Sequence, residues 1–346
     1  MSERRLYLDE GIGETRGVVT LDGRPERLLI RRDGDLDSQA LGAQVVGRVR
    51  KVERQLALAF IDLGGGPDGV LNLRPEMERL VEGRALLVEV RSEVRAGKGA
   101  SLRLVGEAEG GVRVMTPAPT LEDELAAVAP RATIVTGQHA RVTADNAEAE
   151  ALETVFALPG GGNIAIEPTR ALVAVDVDVG ERAGSDAKRA TRAANFAALT
   201  TAARVLRLKG EGGLVVIDLA GRGLDGPAFL SAARTAFGPD NPGVAFGPVS
   251  RFGTLELTVP RRRQSVADRL LDASRQPTAL TLALRLVREI ERAALADPAA
   301  RIAASAEPDV TTAIAPYLKA LTDRFGGRLE VISDPTVTGN AEVRSQ

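Results

Sequence analysis

Asp176 and Asp178 stand two apart in Leu172-Val-Ala-Val-Asp-Val-Asp178, a stretch whose alternation predicts a β-strand. Side chains at i and i+2 of a strand share a face, so both carboxylates point one way while Val175 and Val177 turn to the core. Two carboxylates on one face repel each other unless something positive lies between them. A third acid, Asp218, closes the apolar run Leu214-Val-Val-Ile-Asp-Leu219, which reads as a buried strand. Sites in α/β sheets gather at the carboxyl ends of strands. If the two strands are neighbours, three acids converge, and oxygen ligands of that type suit magnesium or manganese. Such a cluster activates water and shields the charge that develops on a phosphodiester. A plainer reading fits the same residues: each Asp caps a strand end or the turn after it.

The rest of the chain offers little competing chemistry. His139 is the only histidine, so no His-based metal site can form, and its setting, Val135-Thr-Gly-Gln-His-Ala-Arg-Val142, reads as a structural loop-to-strand passage. No Ser-His-Asp pattern and no phosphate-loop motif is present. Gly64-Gly65-Gly66 and Gly160-Gly161-Gly162 read as turns. Cysteine is absent, which excludes disulfides and thiolate metal sites and fits a cytoplasmic location. The charged start, MSERRLYLDEGIGE, lacks the apolar stretch of a signal peptide, and no apolar run is long enough to span a bilayer. Net charge is -2, so a polyanionic partner needs locally concentrated cations. Arg48-Val-Arg50-Lys51-Val-Glu-Arg54 and Arg261-Arg262-Arg263 are the candidates, and short runs of this kind are as readily solvated edges.

The elements that must hold the acids follow from pattern. A length of 346 residues predicts two to three modules, and 3% aromatic content means cores of Leu, Val, Ile and Ala. Residues 1–35 predict strands at 5–8, 14–21 and 27–30, with an Asp22-Gly23 hairpin turn. Residues 36–110 predict five short strands, at 44–52, 56–63, 70–73, 85–90 and 101–104, closing into a small barrel such as an OB-fold. Thr120 caps one predicted helix and a second runs from 145 to 156. Residues 163–258 form an α/β unit. It has strands at 163–167 and 172–178, a helix from Ser185 to Leu208, a strand at 214–219 and a helix at 226–237. Extended chain at 243–250 and a strand at 254–258 complete it. Residues 279–346 alternate helix (280–296), strand (301–305), helix (310–325) and strand (328–333), and a loose polar tail follows Pro335.

Gly161-Gly-Asn-Ile-Ala-Ile-Glu-Pro-Thr-Arg-Ala-Leu-Val-Ala-Val-Asp-Val-Asp178 resembles the catalytic core of the ribonuclease E/G family. Residues 195–218, ending Gly-Gly-Leu-Val-Val-Ile-Asp218, resemble the segment that leads to the family's second metal-binding Asp. Val249-Ser-Arg-Phe-Gly-Thr-Leu-Glu256 is similar to the motif after it. The likeness extends to an OB-type barrel over 47–73, to Lys98-Gly-Ala-Ser-Leu102 as its closing strand, and to a small C-terminal domain ending Glu330-Val-Ile-Ser-Asp-Pro335.

The resemblance implies a multidomain α/β protein: an RNase H-like and DNase I-like body, an inserted S1-type OB barrel, and a small α/β C-terminal domain. Residues 1–35 would begin the RNase H-like part, 36–110 form the barrel, and 111–160 complete the RNase H-like part with the family's 5′-sensing domain missing. The DNase I-like part would be 161–268, a linker 269–278, and the C-terminal domain 279–346. The implied activity is magnesium-dependent endonucleolysis of single-stranded RNA in the cytoplasm, leaving a 5′-phosphate, with manganese as a substitute. Asp176 and Asp218 would hold the ion, and Asp178 would be an auxiliary ligand or orienter. Phe60 would stack on a base, or else fill the barrel core. Lys98 would meet backbone phosphate. Arg48, Ser250, Arg251 and the Arg261–263 run are candidate RNA backbone contacts.

Four departures qualify this expectation. Asp178 stands where the family has Asn, and a carboxylate cannot donate a hydrogen bond. Gly221 replaces an acid, Val70 replaces the second aromatic of the barrel surface, and the paired cysteines near 271–278 are absent. Zinc is therefore not expected, and only a homodimer without a zinc bridge stays open. The rival expectation is an RNA-binding protein that kept the scaffold and lost efficient chemistry, and a third is a deoxyribonuclease.

Overall fold

In the computed structural model the chain opens as a meander of three antiparallel strands, β1 (Arg4–Glu10), β2 (Glu14–Leu21) and β3 (Arg24–Arg32). Asp22 and Gly23 take φ of 50° and 79°, the two positive values that a tight hairpin between twisted strands requires. The structure describes residues 3–345 apart from 78–79, 96, 181–185, 239–241, 338 and 340–341.

Five strands follow: β4 (Gln44–Glu53), β5 (Leu58–Asp62), β6 (Gly69–Asn72), β7 (Ala85–Ser92) and β8 (Ser101–Glu107). They pair in the order β5-β6-β8-β7-β4, and β4 pairs again with β5, so the barrel is closed. Val45, Val49, Ala59, Ile61, Leu71, Val88, Val90 and Leu102 alternate inward to fill it. A strand that the pattern missed, β9 (Arg113–Thr116), pairs with the outer edge of β4, so this sheet runs past residue 110.

Helix α1 (Leu121–Val128) begins at Thr120, whose side chain and that of Asp123 cap each other's backbone N–H. Strand β10 (Ile134–Val135) then lies parallel to β1, giving a four-stranded sheet β10-β1-β2-β3. Helix α1 covers its Leu6, Leu8 and Val19 face, and α2 (Gln138–Leu152) covers the Tyr7 and Val18 face. The expected helix from 145 to 156 is thus displaced. It starts directly behind Gly137, and residues 155–157 leave it to form a strand. The buried face of α2 is made of Ala140, Ala144, Ala147 and Ala151, a helical spacing too weakly apolar to stand out. His139 accordingly lies in the first turn of a helix, not in a loop, edge-on to Tyr7 at 5.4 Å.

Strands β11 (Val155–Ala157), β12 (Asn163–Pro168) and β13 (Val173–Asp178) lead into the long helix α3 (Ala187–Lys209). Ser185, the expected helix start, lies outside the described residues. Then come β14 (Gly213–Asp218), α4 (Gly226–Phe237), β15 (Ala245–Val249) and β16 (Thr254–Val259). The sheet order is β11-β12-β13-β14-β16-β15, with β13 and β14 parallel and the other neighbours antiparallel. Helices α3 and α4 cover one face with Leu199, Leu206, Phe229 and Phe237, packed on Val175, Val177, Val215 and Ile217. Among the described residues no helix covers the other face.

Lys209, the last residue of α3, closes the end of α2: its Nζ donates to the carbonyls of Ala151 (2.7 Å) and Glu153. Burial pushes its ammonium down to about 8, Arg275 pushes the same way, and Glu211 opposes. The unfolded chain keeps this proton until about pH 10.4. Between those values the unfolded state binds more protons, so the cost of burying the charge is relieved and stability rises with pH. Urea unfolding of wild type and Lys209→Met is expected to show the difference between them moving in favour of wild type by about 1–2 kcal/mol from pH 7 to pH 9.5.

A short helix, α5 (Val266–Leu270), packs Val266 and Leu270 against α2 and the first sheet, so residues 269–278 are anchored at their start. Helices α6 (Ala279–Ala296) and α7 (Pro308–Phe325) pack on a three-stranded sheet of β17 (Ile302–Ala306), β18 (Leu329–Ser333) and β19 (Glu342–Ser345). The expected loose tail is corrected by β19, which pairs antiparallel to β17. The result is a mixed α/β molecule with a closed five-stranded barrel and, among the described residues, seven α-helices.

Candidate functional site

The uncovered face of the six-stranded sheet gathers the acids. Along β13 the residues alternate, with Val173, Val175 and Val177 buried and Asp176 and Asp178 exposed. Along β14, Val215 and Ile217 are buried and Asp218 is exposed. The parallel register sets Asp176 directly beside Asp218, on neighbouring strands whose spacing is about 4.8 Å. Like charges placed directly side by side repel. Among the described residues neither carboxylate has an ion pair or hydrogen bond to offset this. On the outer side Asp176 faces the small Ala165, and Asp218 faces Thr254.

Asp178 behaves differently. Its two oxygens accept from the Asn163 side-chain amide (3.2 Å) and the Gly180 backbone N–H (2.9 Å). An amide therefore does stand at this end of the face, carried by β12 at Asn163 and not by position 178. Because Asp178 is turned toward these donors, the three acids do not close around one point. Among the described residues no group of three or more carboxylate or imidazole side chains is placed to hold a metal ion. What the fold offers a hard cation is a two-carboxylate edge open to solvent. Magnesium is commonly held in this way, by one or two carboxylates with water and phosphate completing its shell.

The chain beyond Asp218 is pinned in place. The buried Asn195 side chain of α3 accepts from the Ala220 N–H (2.9 Å) and donates to the Ala220 carbonyl (3.0 Å). Pattern reading missed this residue, since an Asn inside an amphipathic helix gives no sign of what it grips. Gly221 follows with φ +91°, and a Cβ there would stand 2.9 Å from the Thr191 side chain. With that φ and that contact the loop lies close against α3, and a side chain at 221 would be strained and would have to displace Thr191. Between this loop and α3 lies a cavity of about 380 Å³ lined by Lys188, Arg192, Arg222 and Phe229.

The expected RNA-contact residues fall in three places. Ser250 and Arg251 lie on the turn between β15 and β16, beside Asp218: the Leu219 N–H donates to the Gly253 carbonyl at 3.1 Å. Arg261 follows Val259 at the far end of β16, about 20 Å along the strand from the partner of Asp218. It pairs with Glu211 (2.9 Å) and Asp268 (3.4 Å), and Arg263 pairs with Glu93 and Glu124. The third place is the barrel. Phe60 alternates with the buried Ala59 and Ile61, so it faces outward and does not fill the core. Its cross-strand neighbours are Lys51 and Val70, and Val70 pairs in turn with Ser101, which makes one row on the barrel surface. Lys98 is exposed just before that row's last strand. Arg48 is committed to structure, donating to the carbonyls of Gly83 (2.9 Å) and Gly110 (3.3 Å). Arg50 is paired with Asp62 and Asp68, and Lys51 with Glu53, so much of this basic run is neutralised.

The ribonuclease E/G family matches residues 119–264, the span that holds both acids and the pinned loop. Ribonuclease E of Nostoc sp. (strain PCC 7120) is 31% identical over 194 residues, covering 54% of this chain and 28% of that protein. Ribonuclease E of Escherichia coli (strain K12) is 33% identical over 118 residues, 32% of this chain and 11% of that protein. The ribonuclease E/G-like protein, chloroplastic, of Arabidopsis thaliana is 33% identical over 114 residues, 32% of this chain and 12% of that protein. The match thus spans less than a third of each of these relatives.

Proposed function

We propose, for a chain whose residues 119–264 belong to the ribonuclease E/G family, the activity of a magnesium-dependent endoribonuclease that cuts single-stranded RNA and leaves a 5′-phosphate. The observation that carries this reading is the Asp176–Asp218 pair, side by side on an open sheet face with, among the described residues, no ion pair to balance it. Leaving two like charges adjacent costs stability, and a site that binds a cation and a phosphate gives that cost a purpose.

In this reading Asp176 and Asp218 hold a divalent ion, magnesium or manganese. When bound, the ion supplies Lewis-acid stabilisation of the phosphate and a more acidic water. The chain's own residues position the strand. Asp178 orients the Asn163 amide, which is free to donate a second N–H to a phosphate oxygen. Asn195 fixes the backbone after Asp218. Phe60 and Lys98 on the barrel side take a base and a phosphate, and Arg251 takes a phosphate beside the acids. Arg48 and Arg261, already engaged with protein partners, are assigned lesser roles. The four-stranded sheet with α1 and α2 is read as the RNase H-like part, the barrel as the S1-type domain, and the six-stranded sheet as the DNase I-like part. Residues 111–160 are taken up by β9, α1, β10, α2 and β11, which supports a form without the 5′-sensing domain. Among the described residues no helix is long and apolar enough to cross a membrane.

A second reading, RNA binding without efficient cutting, is favoured by one observation: Asp178 is bound to Asn163 and Gly180, leaving two acids where three would hold an ion more firmly. The test is incubation of the purified chain with an end-labelled single-stranded RNA in magnesium and in EDTA, with the matching DNA alongside. The favoured reading expects internal cuts bearing 5′-phosphates in magnesium only. Binding without cuts in magnesium would leave the second reading standing alone, and equal cutting of the DNA strand would correct the substrate.

A further inference from the structure

The turn beside Asp218 carries a feature that the acid pair does not explain. Phe252 is 77% exposed, more than any other large apolar side chain among the described residues. The chain has only eight phenylalanines and two tyrosines, and Phe229 and Phe237 show their usual place, in the core. Phe252 is displayed on a rigid support. Ser250 organises the turn: its Oγ accepts from the N–H groups of Phe252 (3.2 Å) and Thr254 (3.3 Å) and meets Thr254 Oγ1 at 2.8 Å. The Ser250 carbonyl accepts from Gly253 at 3.1 Å, and the Gly253 carbonyl binds the backbone of Leu219. The ring is therefore held two residues from Thr254, the register partner of Asp218. The Arg251 guanidinium lies over it, 4.6 Å from the ring centroid.

We infer that Arg251 and Phe252 form a base-stacking platform for the nucleotide next to the phosphate held at Asp176 and Asp218. This deepens the RNA-cutting reading and rests on it. An exposed ring offers a flat apolar face that any base can use, and a cation over or beside it meets the charge of the adjoining phosphate. The alternative occupant, an apolar surface of another protein, fits less well. Contacts of that kind use contiguous apolar patches, whereas Phe252 stands among Arg251, Ser250, Gly253 and Thr254. The platform lies on the opposite side of the acids from Asp178 and Asn163, so the two ends of the site grip different features of the strand: a base here, a phosphate oxygen there.

The chain contains no tryptophan, which makes the test direct. Phe252→Trp installs a single reporter at the platform. Labelled decauridylate and decaadenylate are titrated in with calcium replacing magnesium, while anisotropy reads binding and tryptophan emission reads stacking. The inference expects saturable quenching at the same midpoint as the anisotropy change. It also expects affinity about tenfold weaker for Phe252→Ala and within about twofold of wild type for Phe252→Tyr. Near-ultraviolet and far-ultraviolet circular dichroism verify that each variant is folded. Wild type that binds RNA while Phe252→Ala binds equally well, or while the tryptophan stays unquenched, overturns the platform and leaves the RNA-cutting reading intact. A wild-type dimer dissociated by Phe252→Ala with RNA affinity unchanged overturns it in favour of a protein contact. No binding of RNA by wild type removes the RNA-cutting reading, and the platform with it.

Discussion

Asp218→Asn is expected to lower metal-dependent RNA cleavage on the order of a thousandfold and, in the same protein, to leave thermal stability unchanged or slightly raised. The two effects have one cause. In the folded chain Asp218 lies beside Asp176 on the open face, and among the described residues neither has an ion pair. Removing one charge relieves a repulsion worth a few tenths of a kcal/mol at an exposed position, so the melting temperature does not fall. The same change halves the anionic edge available to a divalent ion. An acid that merely capped the strand end or its turn would show no loss of activity and a lower melting temperature when its charge is removed. Cleavage rate and calorimetric melting, measured on one preparation, separate these cases.

Arg16→Met is expected to have the largest effect on stability, a loss of about 3–5 kcal/mol. Arg16 is completely buried, and its guanidinium bonds Asp9 (2.6 Å), Asp145 (2.8 Å) and Glu148 (3.0 Å). Burial works against its charge, yet the three acids overcome that and hold it above the usual guanidinium value. The network spreads further. Arg141 joins Asp9 to Glu291, and Arg288 joins Glu14 to Glu148, so α6 of the C-terminal unit is tied to β1, β2 and α2 by buried charges, beside the apolar contact that Ile12 makes with the C-terminal core. Methionine matches much of the volume but strands Asp9 and Asp145 with fewer partners. Burial would raise the Glu148 carboxyl, but Arg288, Arg285 and Arg16 together hold it below its usual value. Its contribution is therefore fully present above the ordinary carboxylate pKa and lost as pH falls through the lower folded value. Urea unfolding of Arg16→Met against Arg5→Met makes the contrast. Arg5 pairs with Glu3 at the surface, and its loss is expected to be close to neutral.

The acid pair was legible in the sequence because valine spacing is unambiguous. Val173, Val175 and Val177 fix which way β13 faces, and the helical run from Phe196 to Leu206 makes β14 its parallel neighbour. The five barrel strands were legible for the same reason. Elements whose buried faces are made of alanine, or whose pairing comes from far along the chain, were not. Helix α2 hides behind Ala140, Ala144 and Ala147, and β9 and β19 are short strands recruited by the existing edges of β4 and β17. The charged network was also out of reach. Nothing in the sequence sets Arg16 and Glu148 apart from the other charged residues until their mutual distances are known. Phe60 could have been placed outward from its alternation with Ala59 and Ile61. Phe252 could not, because a phenylalanine in a strand–turn–strand passage is ordinarily core.

The central claim is that Asp176 and Asp218 share one divalent cation. Electron paramagnetic resonance of free manganese, titrated into the wild-type chain and into Asp176→Asn and Asp218→Asn, reads that directly. Wild type should remove one equivalent of ion from solution, with magnesium competing for the same position, and each variant should bind far more weakly. Equal uptake by all three proteins, or none by wild type in the presence of single-stranded RNA, would contradict the account.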